Sequence, residues 1–311
     1  MSTGRELLTV YLKGFAMGAA DAVPGVSGGT IALITGIYDR LVGAIASLDL
    51  EGGVALLREG LRPWDPAARR DALARASRMD LPFLLVLGVG VVSAALTAAN
   101  VIEWAVGAYA GPTYAFFFGL IAASVVVLRD EMVLDSARGW LVAAAGFALA
   151  FVVSGSVDGA IGNGPIVLFL SGAIAICAMV LPGISGSLIL LTIGQYETIV
   201  GAVHDLTRAA FAGTLQAAVP PFTTLVVFAL GALVGILSFA RVVAWALERY
   251  RVETLTFLVA LMIGALRAPA ERVLAATPTW TPTVTVVLLG VAGLGAVAVL
   301  GLDAMTDEIS Y

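Results

Sequence analysis

Two stretches of this chain carry residue types able to hold an anion without a metal: Pro24-Gly25-Val26-Ser27-Gly28-Gly29-Thr30 and Pro182-Gly183-Ile184-Ser185-Gly186-Ser187. In each, a proline without an amide hydrogen and several glycines interrupt an apolar segment, so no continuous helix can run through. A helix restarting near Ser27 and near Ser185 presents free backbone N–H groups and about half a positive charge at its first turn, which favours an anion. Glycine lets a phosphate approach the main chain closely. The hydroxyls of Ser27, Thr30, Ser185 and Ser187 add donors without bringing a full charge into an apolar setting. The expected phosphate-binding set is therefore Gly25, Val26, Ser27, Gly28, Gly29 and Thr30 with Gly183, Ile184, Ser185, Gly186 and Ser187. One such loop alone is more often a close-packing or helix-capping element. Two copies at matched positions, each with a helix-breaking proline, point to a binding site.

Ionisable residues inside apolar segments are the other candidates, because an unpaired charge there is costly and needs a partner, a cavity or an interface. Arg241 joins the phosphate set, since its planar fork can grip two oxygens. The competing reading is a side chain snorkelling to the membrane edge, with Glu248, Arg249 and Arg251 close behind. Lys13 and Asp21 lie eight residues apart on one helical face and suit a structural pair or a coupling site. Asp39 and Glu197 follow the matched Tyr38 and Tyr196 and read as hairpin-end caps, hinges or proton-coupling groups. With Glu103, these form a coupling or gating set: Lys13, Asp21, Asp39, Glu103 and Glu197. The single histidine, His204, reads as an interfacial bystander. The single cysteine, Cys177, can form no internal disulfide, and no Cys/His spacing resembles a metal site, so no metal, cofactor or catalytic residue is expected.

The elements that must position these loops belong in a membrane. Hydrophobic residues make up 60% of the chain and charged residues 13%, about half the charge of a soluble domain, and the mean hydropathy is +1.00. Stretches such as 81–102, 141–153 and 283–302 hold few or no ionisable groups, and about 20 apolar residues span a bilayer. Trp104, Trp140, Trp245 and Trp280 fall at the expected segment ends as interface anchors. A net charge of −5 with Lys13 as the sole lysine leaves no footprint for nucleic acid.

Sliding the chain on itself by 158 positions lays residues 14–48 on 172–206, with 14 of the 35 pairs identical. Among them are Pro24/Pro182, Ser27/Ser185, Gly36/Gly194 and Tyr38/Tyr196. A second match, at a shift of 141, pairs Trp104/Trp245, Tyr109/Tyr250 and Phe116/Phe257. The first half, 1–157, reads as a re-entrant hairpin over 7–48, a cytoplasmic loop over 49–81 and spans at 81–104, 112–128 and 140–157. The second, 158–311, reads as a hairpin over 165–203 and spans at 222–247, 254–266 and 283–302. Three crossings per half is odd, so the halves enter the membrane from opposite sides. The fold class is an all-α polytopic membrane protein of two inverted-topology repeats, each with a re-entrant helical hairpin and three transmembrane helices. Arg58, Arg62, Arg69, Arg70, Arg75 and Arg78 fill loop 49–81, and arginine marks the cytoplasmic side. Both termini are then cytoplasmic in a multi-pass plasma-membrane protein, although Arg208, Arg267 and Arg272 fall on the outer side.

The stretch from Gly18 to Thr30, with Asp21 ahead of Pro24-Gly25-Val26-Ser27-Gly28-Gly29-Thr30, together with Leu181-Pro182-Gly183-Ile184-Ser185-Gly186-Ser187, resembles the two motifs of the PopT family of polyprenyl-phosphate transporters. The resemblance covers essentially the whole chain. It implies a flippase that returns a lipid carrier, such as undecaprenyl phosphate or an archaeal dolichyl-type phosphate, from the outer to the cytoplasmic leaflet. The implied partners are that lipid and the bilayer, with a homo-oligomer left open. Two other readings use the same loops. Polyprenyl-diphosphate phosphatases share inverted hairpins and a Pro-Gly-x-Ser loop, but carry an arginine after the serine where this chain has Gly28 and Gly186. A small-anion channel or exchanger would use the same helix ends without a lipid tail.

Overall fold

The computed structural model describes residues 4–21, 27–60, 64–155 and 164–307, which are helical almost throughout and hold no strand. The chain opens with α1 (Gly4–Asp21), then α2 (Gly28–Ile34) and α3 (Tyr38–Ala46), a pair bent by 116° at Gly36, whose φ is +68°. Next come α4 (Leu50–Gly60), α5 (Pro66–Arg78), α6 (Leu81–Val127), a 3-10 turn (Leu128–Glu131) and α7 (Ala137–Val153). The second half holds α8 (Pro165–Val180), α9 (Gly186–Thr192), α10 (Tyr196–Ala212), α11 (Leu215–Arg249), α12 (Arg251–Ala265), α13 (Arg267–Ala276) and α14 (Pro282–Asp307).

Among the described residues, four helical stretches are long and apolar enough to cross a membrane: 104–131, 216–249, 251–276 and 282–301, or up to six if each bent helix pair counts as one. Outward faces are apolar, with Leu85, Val89 and Val92 of α6, Leu230 and Leu233 of α11 and Val286 and Leu289 of α14 all exposed. Such a surface needs lipid as its solvent. The chain is an integral membrane protein.

Two expectations change. Much of 49–81 is helical: Asp65 caps α5 by accepting the Ala67 N–H at 2.9 Å, Pro66 opens it, and an Arg75–Glu59 ion pair at 3.0 Å ties it to α4. The spans expected at 81–104 and 112–128 form one helical run, interrupted only at Tyr109 (φ −139°, ψ 50°). A single non-helical residue suffices there because Pro112 falls in the first turn of the restarted helix, where no amide hydrogen is needed. Tyr250, between α11 and α12, has the same geometry (φ −137°, ψ 50°). Each tyrosine stands edge-on to a tryptophan, Trp104 at 5.6 Å and Trp245 at 5.5 Å. Residues paired by the 141 shift thus share a backbone conformation and a ring contact.

Glycine sets the helix packing. α1 lies on α6 with Gly14 against the Leu87 carbonyl and Gly90 against that of Tyr11; α8 lies on α11 with Gly172 against Phe228 and Gly231 against Phe169. A Cβ at any of the four would overlap main chain, so small residues allow the close approach that holds apolar helices together in lipid. The last helix of each sequence half packs across onto the other: α7 on α12 through Gly146 and Gly264, and α14 on α6 through Gly119 and Gly295. α12 runs through the centre, with Leu258, Val259, Leu261 and Met262 shut away from the surface.

Candidate functional site

The two loops touch. Ser27 is extended (φ −119°, ψ 130°) and caps α2, its Oγ accepting the Gly29 N–H at 3.1 Å, as its residue type and position dictate. The same hydroxyl donates to the Leu181 carbonyl of the second loop at 3.0 Å, and the Gly183 N–H donates to Thr30 Oγ1 at 3.0 Å. Gly29 abuts the main chain of residues 179–181, where a Cβ would come within 2.9 Å of the Val180 carbonyl oxygen. Ser27, Thr30, Ile184 and Ser185 are all buried. Gly183 turns the second loop at φ +83°, a conformation open to glycine at little cost. Replacing Thr30 with valine keeps the shape but strips the Gly183 N–H of its acceptor. We expect a loss of about 1–3 kcal/mol, read as a lower unfolding temperature in detergent, and an unchanged temperature would remove this bond from the account.

Lys13 and Asp21 do not pair with each other. Asp21 Oδ1 accepts the Gly28 N–H at 2.6 Å, while Lys13 Nζ donates to the Thr35 carbonyl at 2.6 Å. Eight residues of α1 cover roughly 12 Å, close to the length of the seven-residue α2 lying beside it. One helix therefore presents a carboxylate to the positive end of α2 and an ammonium to its negative end, each favourable to the helix dipole. This corrects the expectation of free N–H groups at the start of α2, since the protein's own oxygens hold those of Gly28 and Gly29. The 158 shift sets Ser171 and Met179 opposite Lys13 and Asp21, so neither matching position carries a charge, and Met179 packs on Gly186 as Asp21 packs on Gly28. Lys13→Met is expected to cost about 1.5–3 kcal/mol, the range for a hydrogen bond from a charged group. The check is thermal unfolding, in which Ser171→Ala serves as the mirror-site comparison.

A mainly apolar cavity of about 230 Å³ opens beside the second loop, lined by Asp21, Ser185, Gly186 and Ser187 together with Ile176, Met179, Leu190 and Phe228. The Ser185 and Ser187 hydroxyls lie 2.8 Å apart. Asp21 and the second loop thus converge on one space, which only the tertiary packing reveals. The apolar residues lining the cavity were not expected as site residues, and the only sequence signal toward them is that Met179 falls opposite Asp21 at the 158 shift.

Other expected site residues fall elsewhere. Arg241 is exposed and donates to the carbonyls of Leu237 at 2.8 Å and Leu48 at 2.5 Å, tying α11 to the end of α3 instead of reaching the loops. Asp39 pairs with Arg251 beside Tyr38 and Glu131, around a separate cavity of about 140 Å³. Glu197 and His204 are exposed. Gly25 and Val26 lie outside the described residues, as does the side chain of Glu103. Among the described residues no cluster of three or more His, Cys, Asp or Glu could hold a metal ion.

The family described as VCA0040-like, undecaprenyl phosphate translocase-like, matches residues 17–281, a span that takes in both loops and the cavity. The chain belongs to this family. It is similar to a polyprenyl-phosphate transporter of Vibrio cholerae serotype O1, 42% identical over 262 residues that cover 83% of this chain and 76% of the relative. A polyprenyl-phosphate transporter of Staphylococcus aureus is 27% identical over 291 residues, 90% of this chain and 92% of the relative. No solved structure matches. The resemblance carried by the two loops is upheld at the level of the family.

Proposed function

We propose that this chain transports a polyprenyl phosphate, such as undecaprenyl phosphate, from the outer to the cytoplasmic leaflet of the plasma membrane, returning the carrier for reuse. The observation that supports it most is the meeting of the two Pro-Gly-x-Ser-Gly loops, Ser27 on Leu181 and Gly183 on Thr30, beside a mainly apolar cavity whose lining includes Asp21, Ser185 and Ser187. The relatives named as polyprenyl-phosphate transporters support the same substrate.

In this reading the phosphate head group lies against Ser185, Gly186 and Ser187, with the first loop, from Ser27 to Thr30, closing on it, while the isoprenoid tail stays in lipid. The head group would otherwise cross hydrocarbon as a bare charge, which is prohibitively costly. The halves 1–157 and 158–311 act as inverted repeats, α2–α3 and α9–α10 as re-entrant hairpins, and rocking of the halves turns the cavity from one leaflet to the other. Both termini and the arginine-bearing α4–α5 face the cytoplasm. The Asp39–Arg251 pair joins the α2–α3 hairpin to α12 and serves as a gate, and Arg241 reaches the phosphate only when its tether to Leu48 opens. No bond of the lipid is broken: a hydrolase needs a cation where the glycines Gly28 and Gly186 follow the loop serines.

The test is reconstitution into liposomes with a head-group-labelled polyprenyl phosphate, following the label's loss of accessibility to an impermeant reductant. Translocation at the rate of protein-free liposomes sinks the proposal. Movement of inorganic phosphate without the lipid would assign the loops to a small-anion exchanger.

A further inference from the structure

The cavity beside the second loop is far more apolar than a phosphate alone needs. Among the described residues only Asp21, Ser185 and Ser187 bring polar side chains to it, while Ala175, Ile176, Leu190, Ile199, Phe228 and Ala232 supply hydrocarbon. The two kinds of lining lie at different levels of α8. Gly186, which opens α9, faces the Ala175 carbonyl and the Met179 side chain, whereas Gly172, nearer the start of α8, faces the Phe228 carbonyl. The hydroxyls therefore mark one end of the space and Phe228 the other. Its volume of about 230 Å³ exceeds the roughly 150 Å³ of an apolar cavity that takes up benzene, and the surplus is under three times the roughly 30 Å³ share of one water. A phosphoryl group and one five-carbon unit fit together in such a space.

We propose that the cavity takes the first isoprene unit of the lipid together with its phosphate, and that Ile176, Ile199 and Phe228 read the methyl branch nearest the head group. This rests on the transport reading, with the cavity as the head-group site, and refines it: the tail lies in lipid from its second unit onward. Ile176, Ile199 and Phe228 are each only half-buried, which leaves the rest of the chain a way out between α8, α10 and α11. Apolar walls gain nothing from water and lose dispersion contacts against a void, so the occupant that fills them binds best. A straight alkyl chain is too thin to fill a space of this breadth, whereas a branched unit touches more of its wall.

The test titrates the purified protein with 3-methyldodecyl phosphate and its isomer 11-methyldodecyl phosphate. The two share a head group and a composition, so they partition alike into detergent and the charge on Asp21 does not enter the comparison. They differ only in whether the branch lies beside the phosphate or at the far end of the tail. Wild type is expected to prefer the 3-methyl isomer by about fourfold or more, the ratio for burying one added carbon. Ile176→Ala, which removes part of the wall, is expected to bring the two within about twofold. Equal wild-type affinities overturn the inference while leaving a lipid-phosphate site in place, and so does an Ile176→Ala protein that keeps the full preference. The wild-type comparison decides the matter even if the variant fails to fold. Binding of neither isomer by wild type overturns the inference together with the transport reading beneath it.

Discussion

Translocation of polyprenyl phosphate is expected to fall at least tenfold when Gly29 becomes valine, which corresponds to about 1.4 kcal/mol or more. Gly29 sits where the first turn of α2 meets the main chain of the second loop. Its Cβ would lie 2.9 Å from the Val180 oxygen and 3.2 Å from both the Met179 oxygen and the Leu181 carbonyl carbon. These are backbone atoms, so relief requires moving one loop away from the other. Overpacking of this kind typically costs about 1–3 kcal/mol, and the displacement would also stretch the Ser27–Leu181 and Gly183–Thr30 bonds. Gly43→Ala, also in a helix, meets open space and is expected to transport at the wild-type rate. A Gly29→Val protein as fast as wild type would show that contact between the loops plays no part in transport.

Ser185→Leu is expected to reduce translocation below detection while leaving the fold intact. Leucine removes the hydroxyl that faces Ser187 and reaches into the cavity, where Ile176, Met179, Leu190 and Phe228 offer it apolar neighbours. The added apolar contact offsets much of the lost hydrogen bond, so unfolding in detergent should stay near wild type. Ser185→Ala separates the two effects: it keeps the space and removes one hydrogen bond, for a loss on the order of tenfold. Full activity in Ser185→Leu would take the cavity out of the transport route.

The two experiments probe different links. Gly29 tests the joint between the loops, Ser185 the space beside them. A transporter needs both, since the joint must open and close while the space changes the leaflet it faces.

Hydropathy, the two proline-glycine breaks and the internal match were legible along the chain because each is local or periodic. Apolar runs report the solvent whatever packs against them. A proline followed by glycine and serine ends one helix and starts another, and α2 and α9 begin at Gly28 and Gly186 as those residues require. Lys13 and Asp21 stood out because charge in an apolar segment demands a partner. Their partners, the backbone groups of Thr35 and Gly28, could not be read, because a main-chain carbonyl or amide carries no residue signature. The partner of Arg241 was hidden for the same reason, being the Leu48 carbonyl.

By itself the sequence determined the membrane setting, the family and the two places where the backbone breaks. Tertiary structure alone decided that the loops touch, that Asp21 caps one short helix while Met179 covers the start of the other, and that a cavity lies between Asp21 and Ser185. The reason is physical: composition sets which solvent a helix prefers, but in a chain that is apolar on nearly every face, glycine-lined backbone approach chooses its neighbours.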